Sequence, residues 1–229
     1  MRLPAPARMV LAALALALAG LAACGNDPER TGIPAVQVVR DALAQGRAPA
    51  GSDARETITA AEIDAAASAV LLAVSREDDR GSTLIPLAAN LGVVQWTDVA
   101  GGGLLTRDGV LVGTRGLGHD LLQADVSGLL AALRAGGARG AERLELRLRP
   151  DNVVERTRWV CDVVRAGRER IALAIVDRAV DTDRFEERCR SGEATLVNRY
   201  WIDDSGRIRR QDVVVGPEFG VLELSLLRG

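Results

Sequence analysis

The apolar pattern of this 229-residue chain changes period along its length. Met9 to Ala23 is an unbroken Leu/Ala run behind MRLPAPAR, which carries Arg2 and Arg8. From Ile33 to Gln45 the apolar residues Ala35, Val38, Val39, Ala42 and Leu43 recur at helical spacing, with Pro34 suited to a first turn and Gly46 to a stop. GRAPAGSD then reads as a loop. Thr59-Ala60-Ala61-Glu62 matches a capping box, which predicts a second helix from Ala60 towards Ala69.

Beyond this point the pattern is that of strands. Val70 to Ser75 is a compact apolar run, and Thr83 to Gln95 gives two more, broken near Asn90-Leu91-Gly92. Leu104 to Arg115 predicts a hairpin, because Asp108-Gly109 suits a two-residue turn at positive φ. Arg143 to Arg149 alternates strictly, with Leu144, Leu146 and Leu148 on one face and charges on the other. The chain then reads as a meander broken at Ala166-Gly167, Asp181-Thr182-Asp183, Ser191-Gly192, Ser205-Gly206 and Pro217, and ends in a one-sided alternation of Leu222, Leu224 and Leu226. Asp120 to Ala135 is assigned one or two short helices. No spacing suits the helical crossovers of a parallel sheet. The fold class expected is mainly β: a large antiparallel meander, curved half-barrel or sandwich, with two or three short helices packed on it.

The first segment assigns a compartment. A short basic stretch followed by a Leu/Ala run is a secretory signal, too short for a membrane span of roughly 20 residues. It ends in Leu21-Ala22-Ala23-Cys24, which resembles a bacterial lipobox and implies cleavage before Cys24 with acyl chains (palmitate among them) on the thiol and new amino group. Gly25, rather than Asp, follows, which implies sorting to the outer membrane. The domains expected are therefore a signal peptide over 1–23, a tether over 24–32 and one β-rich domain with N-terminal helices over 33–229. With 29 basic against 31 acidic residues and no basic stripe, nucleic acid is not an expected partner.

Two cysteines remain, Cys161 and Cys189, in an oxidising compartment. A disulfide is the leading expectation; free buried thiols are the alternative, and a metal site lacks both a CxxC spacing and a second histidine.

Two stretches carry candidate chemistry. Thr114–Leu122, TRGLGHDLL, holds the chain's one histidine, His119. It lacks the third glycine of a dinucleotide fingerprint and the lysine of a P-loop. His119 and Asp120 are sequence neighbours, a poor arrangement for an oriented dyad, and no G-x-S-x-G nucleophile exists. The expectation is a strand exit, with Asp120 capping a short helix. The second stretch, Asn198–Gly220, concentrates Tyr200, Trp201, Arg207, Arg209 and Gln211. Aromatics beside arginines suit a sugar or a protein partner, and Trp96 joins them as a contact candidate. Adjacent strand positions point to opposite faces, so one of Tyr200 and Trp201 is expected to fill the core while the other covers an arginine. Asp98, Asp108, Asp203, Asp204 and Glu218 show no pairing as acid and base; catalytic, metal and cofactor sites are not expected.

LTRDGVLVGTRGLGHDL, the meander, and NRYW-D--GRIRR-Q----GPEFG together resemble the YjbF/GfcB lipoproteins linked to capsule and exopolysaccharide production. The lipobox and Trp96 agree. The resemblance implies an outer-membrane, periplasm-facing lipoprotein working beside polysaccharide-export envelope proteins, and transfers only Cys24 as a functional residue. Asp212-Val213-Val214 depart from the bulkier residues the family pattern leads one to expect there. Three functions are compatible with these features: a non-enzymatic accessory of capsule or exopolysaccharide production or export, ranked first; a carrier binding lipid or glycan in a curved sheet; and a polysaccharide-modifying enzyme centred on His119.

Overall fold

Local turn chemistry sets most of the strand order. The computed structural model describes residues 52–98, 101–117, 119–216 and 219–229. The predicted helix Ile33–Gln45 lies outside them, as does Pro217. Twelve strands form one antiparallel sheet: β1 (Val70–Ser75), β2 (Arg80–Asn90), β3 (Val93–Thr97), β4 (Gly103–Arg107), β5 (Val110–Arg115), β6 (Leu121–Asp125), β7 (Gly137–Leu148), β8 (Val154–Leu173), β9 (Arg178–Ser191), β10 (Ala194–Asp203), β11 (Ile208–Gly216) and β12 (Gly220–Arg228). Their spatial order is β5-β4-β3-β2-β1-β12-β11-β10-β9-β8-β7-β6, so every bonded pair except β1–β12 joins sequence neighbours. The two end strands, β5 and β6, meet where the Leu121 amide donates to Thr114 Oγ1 at 2.9 Å. The result is a nearly closed, barrel-like sheet.

The predicted hairpins form for the expected reasons. Asp108 and Gly109 adopt φ 48° and 85°, as a two-residue turn with both central residues left-handed requires. The capping box is present: Thr59 accepts from the Glu62 amide and the Glu62 carboxylate accepts from the Thr59 amide. Among the described residues the helices are α1 (Ala54–Thr57), α2 (Ala60–Ala65) and α3 (Ser127–Arg134). Helix α2 stops short of Ala69, because Ile63 is its one buried side chain and the chain must already extend into β1.

Three expectations are corrected. Asp120–Ala135 contributes strand β6 before its helix. Ala166-Gly167 does not break the chain but forms a β-bulge inside β8, where Gly167 takes φ 133°. Asp181-Thr182-Asp183 lies within β9; the turn is Ala174–Asp177, without glycine or proline. Its Ile175 sits at φ 70°, and Val176 is buried beside Ile171 and Leu173, so tertiary packing offsets the local strain.

The core has two main parts. Leu71, Leu111, Leu121, Phe185, Tyr200, Val213 and Leu224 pack on the inner face with the α3 leucines. On the outer face, Val70, Leu72, Val74, Trp201 and Leu227 are covered by Ile63 and by the β8–β9 tip.

Candidate functional site

The alternation in β7 is present, and its charged face is the buried one. Arg143 and Glu145 are 3% and 1% exposed, whereas Leu144, Leu146 and Leu148 are half-buried on the opposite face. Arg143 Nε donates to Glu145 Oε1 at 2.8 Å, and Arg147 Nη2 donates to Glu145 Oε2 at 2.9 Å. Across the interior, Arg143 reaches Glu187 of β9, whose Oε2 also accepts from Asn198 Nδ2 at 2.7 Å and the Tyr200 hydroxyl at 2.9 Å. Arg147 donates to the Val215 carbonyl, and Asn198 Oδ1 accepts from the Val214 amide. Two cations and two carboxylates therefore neutralise one another inside the sheet. Burial pushes the Glu145 carboxyl up, but Arg143 and Arg147 overcome this and hold it below the ordinary range. Burial, then the Glu187 charge, pushes Tyr200 well above an ordinary phenol. Apart from Tyr200, the network was not among the residues expected from sequence, although period two signalled it: Glu187 shares a face with Cys189, and Asn198 with Tyr200.

The TRGLGHDLL stretch is a strand-to-strand corner. Asp120 caps no helix, contrary to expectation; its carboxylate accepts from Thr114 Oγ1 (2.9 Å), the Gly116 amide (2.8 Å) and the Leu117 amide (3.0 Å). Burial raises its pKa, and these donors with Arg115 lower it further than burial lifts it. The carboxylate is thus committed to the turn. His119 Nε2 is buried without a hydrogen-bond partner. Helix α3 begins instead after Val126, with no side-chain cap.

The six contact candidates do not converge. Trp96 is buried, its indole donating to Thr106 at 2.8 Å. Tyr200 fills the interior, while Trp201 faces outward, donates to Glu169 and lies under the Arg210 guanidinium, 4.5 Å from the ring centroid. Gln211 is buried; its Oε1 accepts from the Leu111 amide at 3.1 Å and its Nε2 donates to Gly109, pinning the β4–β5 hairpin onto β11. Arg209 is largely buried, its Nε without a hydrogen bond and 4.0 Å from Asp203; burial lowers its pKa. Arg207 is exposed and borders an open surface cleft with a floor of Leu130, Leu133, Ile202 and Ile208 and a rim that includes the Arg134–Asp108 ion pair at 2.8 Å.

Cys161 and Cys189 are directly opposed in β8 and β9 and joined by a disulfide. Glu187 lies close enough that its oxygen and both sulfurs fall within 4.8 Å of one another, but bonded sulfurs offer no thiolate to a metal. Cys24 lies outside the described residues.

A model of the family described as group 4 capsule polysaccharide lipoprotein gfcB, YjbF matches residues 26–227. Among solved structures, the hypothetical lipoprotein YmcC from Escherichia coli (K12) is similar in fold, with a TM-score of 0.66 at 21% identity over 75% of this chain and 89% of that one. No curated protein matches.

Proposed function

Since this chain belongs to the family of group 4 capsule polysaccharide lipoproteins, we propose that it is a non-enzymatic accessory factor of capsule or exopolysaccharide production or export. It is held at the outer membrane by an acylated Cys24, faces the periplasm and works beside polysaccharide-export envelope proteins. The observation that carries this reading is the family match, which begins two residues after Cys24 and runs to Leu227. Two further features support it. The interior, where a carrier would hold lipid or glycan, is occupied by Tyr200, Leu111, Leu121 and Leu224, each at most 2% exposed. The carboxylate beside His119 serves a turn rather than the imidazole. Polymer or a partner would meet the Arg207 cleft.

Deletion of the gene is expected to reduce surface polymer, and Cys24→Ala to release the protein from membranes, abolish palmitate labelling and reproduce the polymer defect. His119→Ala should leave polymer production intact. Normal polymer after deletion would overturn the accessory reading; loss of polymer in a stable His119→Ala protein would favour the enzyme.

A further inference from the structure

The β2–β3 hairpin carries an apolar tip that nothing else in the fold explains. No charged side chain occurs between Arg80 and Asp98, in a chain whose residues are 26% charged. Strand β2 pairs with β1 only as far as Leu84, and a bulge between Pro86 and Ala88 re-aims the rest of the strand. Leu87 to Gly92 are then six consecutive exposed residues, LAANLG, with Leu87 at 41% and Leu91 at 86% exposure. Leu91 also sits at φ 49°, a left-handed turn position that favours asparagine or glycine. A leucine side chain so exposed at a strained position gains no burial from the isolated fold. Beside it, Arg107 Nη1 donates to the Leu91 carbonyl at 3.3 Å, placing a cation at the base of the tip.

We propose that this hairpin tip dips into the surface of the lipid bilayer to which the chain is anchored, with Leu91 and Leu87 among the acyl chains and Arg107 at the phosphates. The inference rests on the lipid anchor proposed above. The size of the tip selects the partner: a stable protein interface needs about 800 Å² and 20–30 residues per side, far more than six residues on a convex turn supply. A bilayer makes no such demand, because tethering supplies the effective concentration that a few apolar side chains lack. The 27 residues between Cys24 and Ser52 span at most about 90 Å, which keeps the domain within reach of its membrane. Arg107 complements anionic headgroups.

The test uses the full acylated chain, its acylation read by mass spectrometry, in vesicles of phosphatidylethanolamine and phosphatidylglycerol. An environment-sensitive fluorophore is attached at Asn90→Cys on the tip and, separately, at Ser205→Cys on the β10–β11 turn. The Asn90 label should shift to the blue and be quenched several-fold less by an aqueous quencher than the Ser205 label. Adding Leu91→Asn should erase that difference while leaving the thermal midpoint equal or higher, since asparagine suits the turn. Equal quenching of the two labels in an acylated chain overturns this inference alone. So does shielding that survives Leu91→Asn, or shielding before vesicles are added, which would mean that a second copy or another segment covers the tip. An unacylated chain overturns the anchor reading, and this inference with it.

Discussion

Arg143 and Glu145 occupy positions where a leucine would ordinarily be expected, and their neighbours Leu144 and Leu146 take the outer face. Taking ions out of water is expensive, and it is offset here only because every charge in the group meets an opposite charge or a hydrogen-bond partner. Removing one member should therefore be far worse than replacing the set. Arg143→Ala should destabilise the domain by about 3–5 kcal/mol in urea denaturation, because it strands Glu145 and Glu187. The same groups set the pH limits. The folded-state pKa of Glu145 is depressed, so its contribution is present above about pH 4.3, the unfolded value, and is lost as pH falls through the depressed one. That of Tyr200 is raised, so its contribution is full below about pH 10 and is lost as pH rises through the folded value. Tyr200 is the chain's one tyrosine, so tyrosinate absorbance reports it alone. The absorbance should appear only with unfolding, and a native-state phenol ionising at the ordinary value of about 10 would contradict the buried placement.

At the scale of elements, the strands follow from hairpins whose turn residues can be named. Gly109 and Gly206 both sit in turns at positive φ, 85° and 80°, but their surroundings differ. A Cβ at Gly109 would lie 3.2 Å from Ile208, whereas one at Gly206 would meet nothing within 4 Å. Gly206→Ala should cost about 1–2 kcal/mol from backbone strain alone, and Gly109→Ala measurably more, because it also presses the β4–β5 hairpin off β11. Equal losses in denaturant would show that the hairpin can move away freely. Turn reading failed where packing overruled it. Ala174–Asp177 turns without glycine or proline because Val176 gains burial, and Asp181-Thr182-Asp183 stays extended because Thr182 is buried with its hydroxyl donating to the Glu169 carbonyl at 2.9 Å.

For the whole molecule, the disulfide staples the longest pair of strands. Its two cysteines are 28 residues apart, so the double variant Cys161→Ala/Cys189→Ala should lose about 3–4 kcal/mol by the chain-entropy argument, read as a lower denaturant midpoint that reductant no longer shifts. The family signatures at Thr114–Leu122 and in the C-terminal meander serve as a sheet corner and as interior scaffold. Asp120 closes the corner between β5 and β6, and Gln211 pins the hairpin onto β11. The sequence by itself determined the strand-rich class, most turns, the capping box and the family, because each rests on short-range spacing or on motif identity; it made the cysteine pairing the leading expectation, and the opposed strands β8 and β9 decided it. Only the tertiary structure decided which face of β7 is buried, that Asp120 serves a turn, that Arg207 alone of the six contact candidates borders the cleft, and that Leu91 is left in solvent. Those outcomes depend on charges and surfaces brought together from distant strands, such as Arg143 with Glu187, and local spacing carries no record of such partners.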